Sequence, residues 1–150
     1  MNKTAFLLPL LLAAGGVHAQ NAAACPQLDA STGLSWEYRG GDGADFCRAL
    51  RADGSEAFGM YISAQPSFSP SRSHREESDT MGGREVQWYR AELVGEPDIV
   101  ARETLVKLAD GRSAHVWLQA ASKAELQDAF RITRQVDFSS RHAATAVAGQ

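Results

Sequence analysis

From Leu34 the chain alternates apolar and polar positions, with Leu34, Trp36 and Tyr38 set against Ser35, Glu37 and Arg39. A period of two is the pattern of a strand with one buried face. Phe46–Leu50 and Ala57–Ile62 form two further strand-like runs, joined by "RADGS". An Asp-Gly pair between such runs predicts a hairpin, because a tight turn needs residues that tolerate left-handed backbone. The device recurs at "LADGR", where Asp110-Gly111 separates the run 99–108 from the run 113–120. Residues 84–94 predict another long strand, and Gly95-Glu96-Pro97-Asp98 turns the chain onward.

The period changes after Ala121. Ser122-Lys123-Ala124-Glu125 is a capping box, in which the Ser hydroxyl accepts from a free amide of the first turn and Glu125 reaches back. Leu126, Ala129, Phe130 and Thr133 then fall on one helical stripe, extended by Val136, which must pack on the sheet. Phe138 closes the domain. Between Pro66 and Gly83, "PSFSPSRSHREESDTMGG" fits a short helix capped at Ser73-x-x-Glu76 and ending at Gly82, and it fits a mobile surface segment equally well. The fold expected is α+β: a single twisted antiparallel sheet of about five to six strands, built from two Asp-Gly hairpins. The C-terminal amphipathic helix packs on one face of it.

The succession of long strand, turn, strand, Asp-Gly hairpin, strand, capped helix and short final strand resembles the C-terminal half of PsbP-like domains. The stretch "ARETLVKLADGRSAHVWLQAASKAELQDAFRITRQVDF" (101–138) carries it, roughly a quarter of the chain. The likeness is one of pattern, without a diagnostic motif. It implies a non-catalytic, extracytoplasmic binding or assembly factor, and it brings no functional residues to carry over. The pair Cys25 and Cys47 is not part of that family's pattern.

The ends of the chain bear on its compartment. Asn2 and Lys3, the apolar run 5–14 and the small residues closing at Val17-His18-Ala19 read as a secretory signal peptide cleaved after Ala19. Its apolar run is too short to span a bilayer. Residues 20–138 are then one domain, and 139–150, "SSRHAATAVAGQ", a disordered tail without periodicity. Without the leader, 14 basic side chains face 18 acidic ones, a net charge near −4. That offers no footprint for nucleic acid or anionic lipid. In an oxidising compartment the two cysteines, Cys25 and Cys47, read as one disulfide. Closing a loop of about 23 residues is worth ~3 kcal/mol in the chain-entropy account. A lipid-modified Cys25 is the competing reading, but residues 15–21 separate it from the apolar run and Cys47 would be left unpaired. The expected location is periplasmic or secreted.

Candidate chemistry is sparse. "GGDGADFCR" (40–48) matches the glycine-rich calcium nonapeptide, yet that motif binds calcium only in repeated parallel turns, and here it stands once. Asp42 and Asp45 alone fall short of the six to eight oxygens calcium takes, so the stretch is read as a turn between strands. "SRSHREESD" gathers His74, Glu76, Glu77 and Asp79 without zinc-site spacing, and is read as a solvated face. No G-x-S-x-G elbow, S-x-x-K or free cysteine points to a nucleophile. No cofactor is expected. The domain's histidines are His74 and His115, and a base at His115 would need a Ser or Thr neighbour and an orienting carboxylate, Glu103 or Asp110.

What remains is a surface. In the run 113–120, Ala114, Val116, Leu118 and Ala120 share the face under the helix, while Ser113, His115, Trp117 and Gln119 share the other. Indole and imidazole both stack and hydrogen-bond. The neighbouring strand sets Arg102 or Glu103 beside them, according to whether the hairpin loop holds two residues or three. Trp117, His115, Gln119 and Arg102 are therefore the candidate binding residues. That face is either open or covered by the N-terminal region and loop 66–83. The expected function is a small secreted or periplasmic binding protein whose partner is another extracytoplasmic protein, in the manner of an immunity protein or inhibitor. The alternatives are a small hydrolase using His115, and a periplasmic carrier of a small ligand or lipid. A deep apolar pocket would favour the carrier, a Ser–His–carboxylate cluster the hydrolase, and an open aromatic face the binding module.

Overall fold

Seven strands, all antiparallel, form one sheet in the order β1-β2-β3-β7-β6-β5-β4. The structure is a computed structural model that describes residues 24–139, so the leader and nearly all of the 139–150 tail lie outside the described residues. The strands are β1 Ser35–Gly41, β2 Ala44–Leu50, β3 Glu56–Ser63, β4 Arg75–Met81, β5 Arg84–Ala91, β6 Val100–Lys107 and β7 Ser113–Ala120, followed by helix α1 Lys123–Thr133. Two meanders, β1–β3 and β4–β7, meet where β3 pairs with β7.

The strand count exceeds the expected five to six because of β4. Its sequence, Arg75-Glu76-Glu77-Ser78-Asp79-Thr80-Met81, resembles a solvated loop because it has the composition of an edge strand: charge along an open edge discourages pairing with other chains. It is held to β5 by a turn in which Gly82 and Gly83 both have positive φ (57° and 73°), as a two-residue hairpin turn requires. The short helix considered there reduces to one 3-10 turn, Arg72–His74, preceding the strand and without a side-chain cap.

Loops 51–55 and 108–112 share one design. Arg51 N–H donates to Ser55 O and Leu108 N–H to Arg112 O, closing three-residue loops whose last member is the left-handed Gly54 or Gly111. Asp53 and Asp110 each accept from the amide two residues on. The "GGDGADFCR" stretch supplies the end of β1, the tight Asp42-Gly43 turn and most of β2. Asp45 within it accepts from Tyr38 Oη at 2.9 Å and pairs with Arg112 at 2.8 Å.

Helix α1 starts where the capping box placed it: Ser122 Oγ accepts from Glu125 N–H, while the Glu125 carboxylate accepts from Ala121 N–H. Its buried stripe of Leu126, Ala129, Phe130, Ile132 and Thr133 covers Phe58, Met60 and Ile62 of β3 and Ala114, Val116 and Leu118 of β7. Trp88 meets Phe130 at 5.2 Å between ring centroids, and Trp36 meets Phe58 edge-on at 5.5 Å. The N-terminal segment lies on the same side, tied there by the Cys25–Cys47 disulfide, by Trp36 Nε1 donating to Pro26 O, and by paired backbone bonds between Gln27 and Asp137. No helix among the described residues is long and apolar enough to cross a membrane.

Candidate functional site: the helix-free face of the sheet

Register decides what the second face carries. One row across the sheet runs Glu37, Arg48, Gly59, Trp117, Glu103, Tyr89, each residue paired with the next. The neighbouring row on that face runs Arg39, Phe46, Tyr61, His115, Leu105. The three-residue loop at 109–111 therefore sets Glu103, not Arg102, beside Trp117. Arg102 is corrected to the opposite face, where it is buried opposite Leu118 and holds Glu77 through two hydrogen bonds of 2.7 and 3.1 Å. Burial alone would raise the Glu77 carboxyl. The Arg102 bonds and charge outweigh it and hold that group below its ordinary value.

Trp117 owes its position to a missing side chain. A Cβ on Gly59 would stand 2.3 Å from indole Cζ2, so the ring lies directly over the glycine. Indole Nε1 donates to Glu56 at 3.0 Å, and Glu56 in turn pairs with Arg48, Arg48 with Glu37, and Glu37 with Arg39. Rings continue in the other direction. Phe46 lies 5.5 Å from Trp117, His115 meets Trp117 edge-on at 5.6 Å, and Phe68 stacks on His115 at 4.5 Å and meets Tyr89 at 6.2 Å. All five side chains are half-buried. The face is neither open throughout nor covered throughout: the N-terminal segment goes to the helix side, and from the 64–74 connection Phe68 reaches over His115 and Tyr89.

His115 is held at both nitrogens. Nε2 lies 2.9 Å from Glu103 Oε2, and Nδ1 lies 2.6 Å from Ser67 Oγ. Burial pushes the imidazole below its ordinary pKa, while the hydrogen bond and charge of Glu103 pull partly back. The neutral ring is thereby favoured near neutral pH. Gln119 is exposed on the same face, opposite Ala101. The acids of the "SRSHREESD" stretch serve the fold: Glu77 pairs with Arg102 and Asp79 with Arg134 of the helix end.

Sequence reasoning identified His115, Trp117 and Gln119 and left Glu103 open; it missed Phe46, Glu56, Ser67 and Phe68. Phe46 was recoverable, since it alternates with Cys47 and so must face away from the disulfide. Ser67 and Phe68 sit in an irregular connection with no periodicity to place them. Recesses among the described residues lie elsewhere. One of about 540 Å³ is lined by β4–β5 residues such as Ser78, Thr80 and Gln87, one of about 450 Å³ by Leu34 and Ile132 with Arg51, Asp128 and Arg131, and one of about 400 Å³ by Leu93, Pro97 and Ile99 with Arg90, Glu92 and Glu96. None of these is lined by the aromatic band. No family model, curated protein or solved structure matches the chain.

Proposed function

We propose that the protein is an extracytoplasmic protein-binding module, of the kind an immunity protein or inhibitor represents, and that its partner seats on the helix-free face of the sheet. One observation carries this. The sheet spends its helix on a single face, and the other holds Phe46, Trp117, His115, Phe68 and Tyr89 in unbroken ring contact, half-exposed. Amphipathic rings of this type are the usual anchors of protein interfaces. The row from Glu56 to Arg39 supplies alternating charge along the band's flank, which suits a partner of mixed surface charge. The Cys25–Cys47 disulfide is compatible with an oxidising compartment. A carrier reading lacks comparable support, because each of these recesses mixes charged or polar side chains with its apolar ones.

The test is paired capture from an envelope extract, with the domain immobilised. Trp117→Ala should weaken capture of a specific protein at least about 30-fold, the ~2 kcal/mol of an interface anchor. Lys123→Ala, on the helix side, should leave it unchanged. Capture that survives Trp117→Ala, or is lost equally in both variants, sinks the assignment of this face.

A further inference from the structure

We propose that Ser67, His115 and Glu103 form a hydrolytic relay, in which Ser67 Oγ is acylated by small carboxylic esters and then freed by water. This goes beyond the binding reading and does not depend on it. The three groups form a continuous hydrogen-bonded line: Ser67 Oγ to His115 Nδ1 at 2.6 Å, and His115 Nε2 to Glu103 Oε2 at 2.9 Å. An ionised carboxylate can only accept, so the neutral ring carries its proton on Nε2. The lone pair of Nδ1 then faces the Ser67 hydroxyl, which donates to it. That is the hydrogen-bonded arrangement in which an imidazole takes a proton from an attacking alcohol.

Burial keeps the ring unprotonated near neutral pH, as a general base must be. Phe68 on one side and Trp117 on another fix its plane. The ionisable groups facing it are Glu103 from β6 and, in register, Tyr61 from β3; Tyr89 of β5 lies beyond Phe68. Ser67 itself is exposed, so an acyl group reaches it from solvent. Its placement is specific. Ser63 Oγ of β3 donates to Gln65 O at the start of this connection, and the Ser67–His115 bond and the packing of Phe68 hold the stretch that follows against the sheet. The ring serves the hydroxyl through Nδ1 and the carboxylate through Nε2; either imidazole nitrogen has the basicity for the step.

In the acylation step the Ser67 oxygen bonds to the ester carbonyl carbon and its proton passes to Nδ1. The tetrahedral adduct collapses by breaking the bond to the leaving oxygen, which takes the proton from Nδ1. Water, deprotonated at the same nitrogen, then attacks the acyl-serine. It releases the carboxylic acid and returns the proton to Ser67 Oγ. Glu103 touches no substrate; it is a positioning residue that fixes the tautomer and stabilises the transient imidazolium. The neighbouring rings favour an ester with an aryl or short apolar leaving group.

The experiment uses the leaderless domain with 4-nitrophenyl acetate and reads both nitrophenol release and the acetylated peptide. Acetyl should accumulate on the peptide bearing Ser67, and Ser67→Ala should abolish it. His115→Gln should slow it on the order of 10²-fold, the lower range of general-base catalysis. Glu103→Gln, which can still accept from Nε2–H, should keep the fold by circular dichroism while lowering the plateau rate and moving the acid limb of the pH–rate profile to lower pH. Because that variant is conservative, it decides the matter even if His115→Gln does not fold. Acetylation spread evenly over surface nucleophiles, or a Ser67 rate and pH profile indifferent to Glu103→Gln, overturns the relay. Acetylation of Ser67 is read with no partner present and capture with no ester present, so this proposal and the binding reading fail separately.

Discussion

Gly59→Ala should be costly for a reason that lies four strands away in sequence and one strand away in space. The added Cβ would stand 2.3 Å from indole Cζ2 and 2.7 Å from Nε1, so Trp117 must lift. Forcing an extra methyl into a filled position costs roughly 1–3 kcal/mol. Lifting the ring also forfeits its contact with Phe46, about 0.5–1.5 kcal/mol. The bond to Glu56 adds about 1 kcal/mol at most, because water replaces it on a half-exposed surface. Against this, Ala in place of Gly in a strand gains roughly 0.5–1 kcal/mol of backbone entropy. The net loss should be about 2 kcal/mol. The decisive measurement is the double-mutant cycle, by urea denaturation with an unchanged m-value. In a Trp117→Ala background only the entropic gain survives, so Gly59→Ala should there be neutral or mildly stabilising. Equal cost in both backgrounds would mean that the indole does not rest on Gly59. Intact stability of the single variant would mean a ring free to swing, and an interface anchor that is not preorganised.

Removing the disulfide by Cys25→Ser with Cys47→Ser should lower unfolding free energy by ~3 kcal/mol, and an unchanged urea midpoint would contradict the tie between the N-terminal segment and β2. In an NMR titration the His115 ring should protonate below the ordinary histidine value, and lower still in Glu103→Gln, which removes the charge that raises it. Since the fold depresses this pKa, the stability His115 contributes is complete above about pH 6.5 and is lost as pH falls through the folded value; a midpoint above 6.5 would reverse the sign. Glu77, also depressed, contributes fully above about pH 4.3 and loses its contribution as pH falls through its folded value. Glu77→Gln should therefore flatten the acid limb of the stability curve, and an unaltered limb would remove Arg102–Glu77 from the account.

Six of the seven strands and the helix were legible because each obeys a local rule. Alternation marked β1 and β7, Asp-Gly loops marked the β2–β3 and β6–β7 hairpins, and Ser122 with Glu125 marked the start of α1. Strand β4 was hidden because its pairing, not its own composition, makes it a strand; Glu76 and Ser78 are exposed and the half-buried positions between and after them, Glu77 and Asp79, are acidic, so there is little apolar signal to read. The site was half legible. Alternation fixes which residues share a face of one strand, so Trp117, His115 and Gln119 followed from β7 alone. Which residues of other strands join them depends on register, and a single residue in the 109–111 loop decides between Arg102 and Glu103. Ser67 and Phe68 arrive through a connection whose path no periodicity encodes.

The paired bonds between Gln27 and Asp137 give the domain a polarity of attachment. Both described ends come together on the helix side, and the aromatic band faces the other way. A linker, tag or surface tether fused at either end therefore holds the molecule by its back and leaves the ring-bearing face presented outward. The same adjacency makes the domain a natural subject for circular permutation: a short bridge would join the ends, and new ends would open at the exposed Asp42-Gly43 turn.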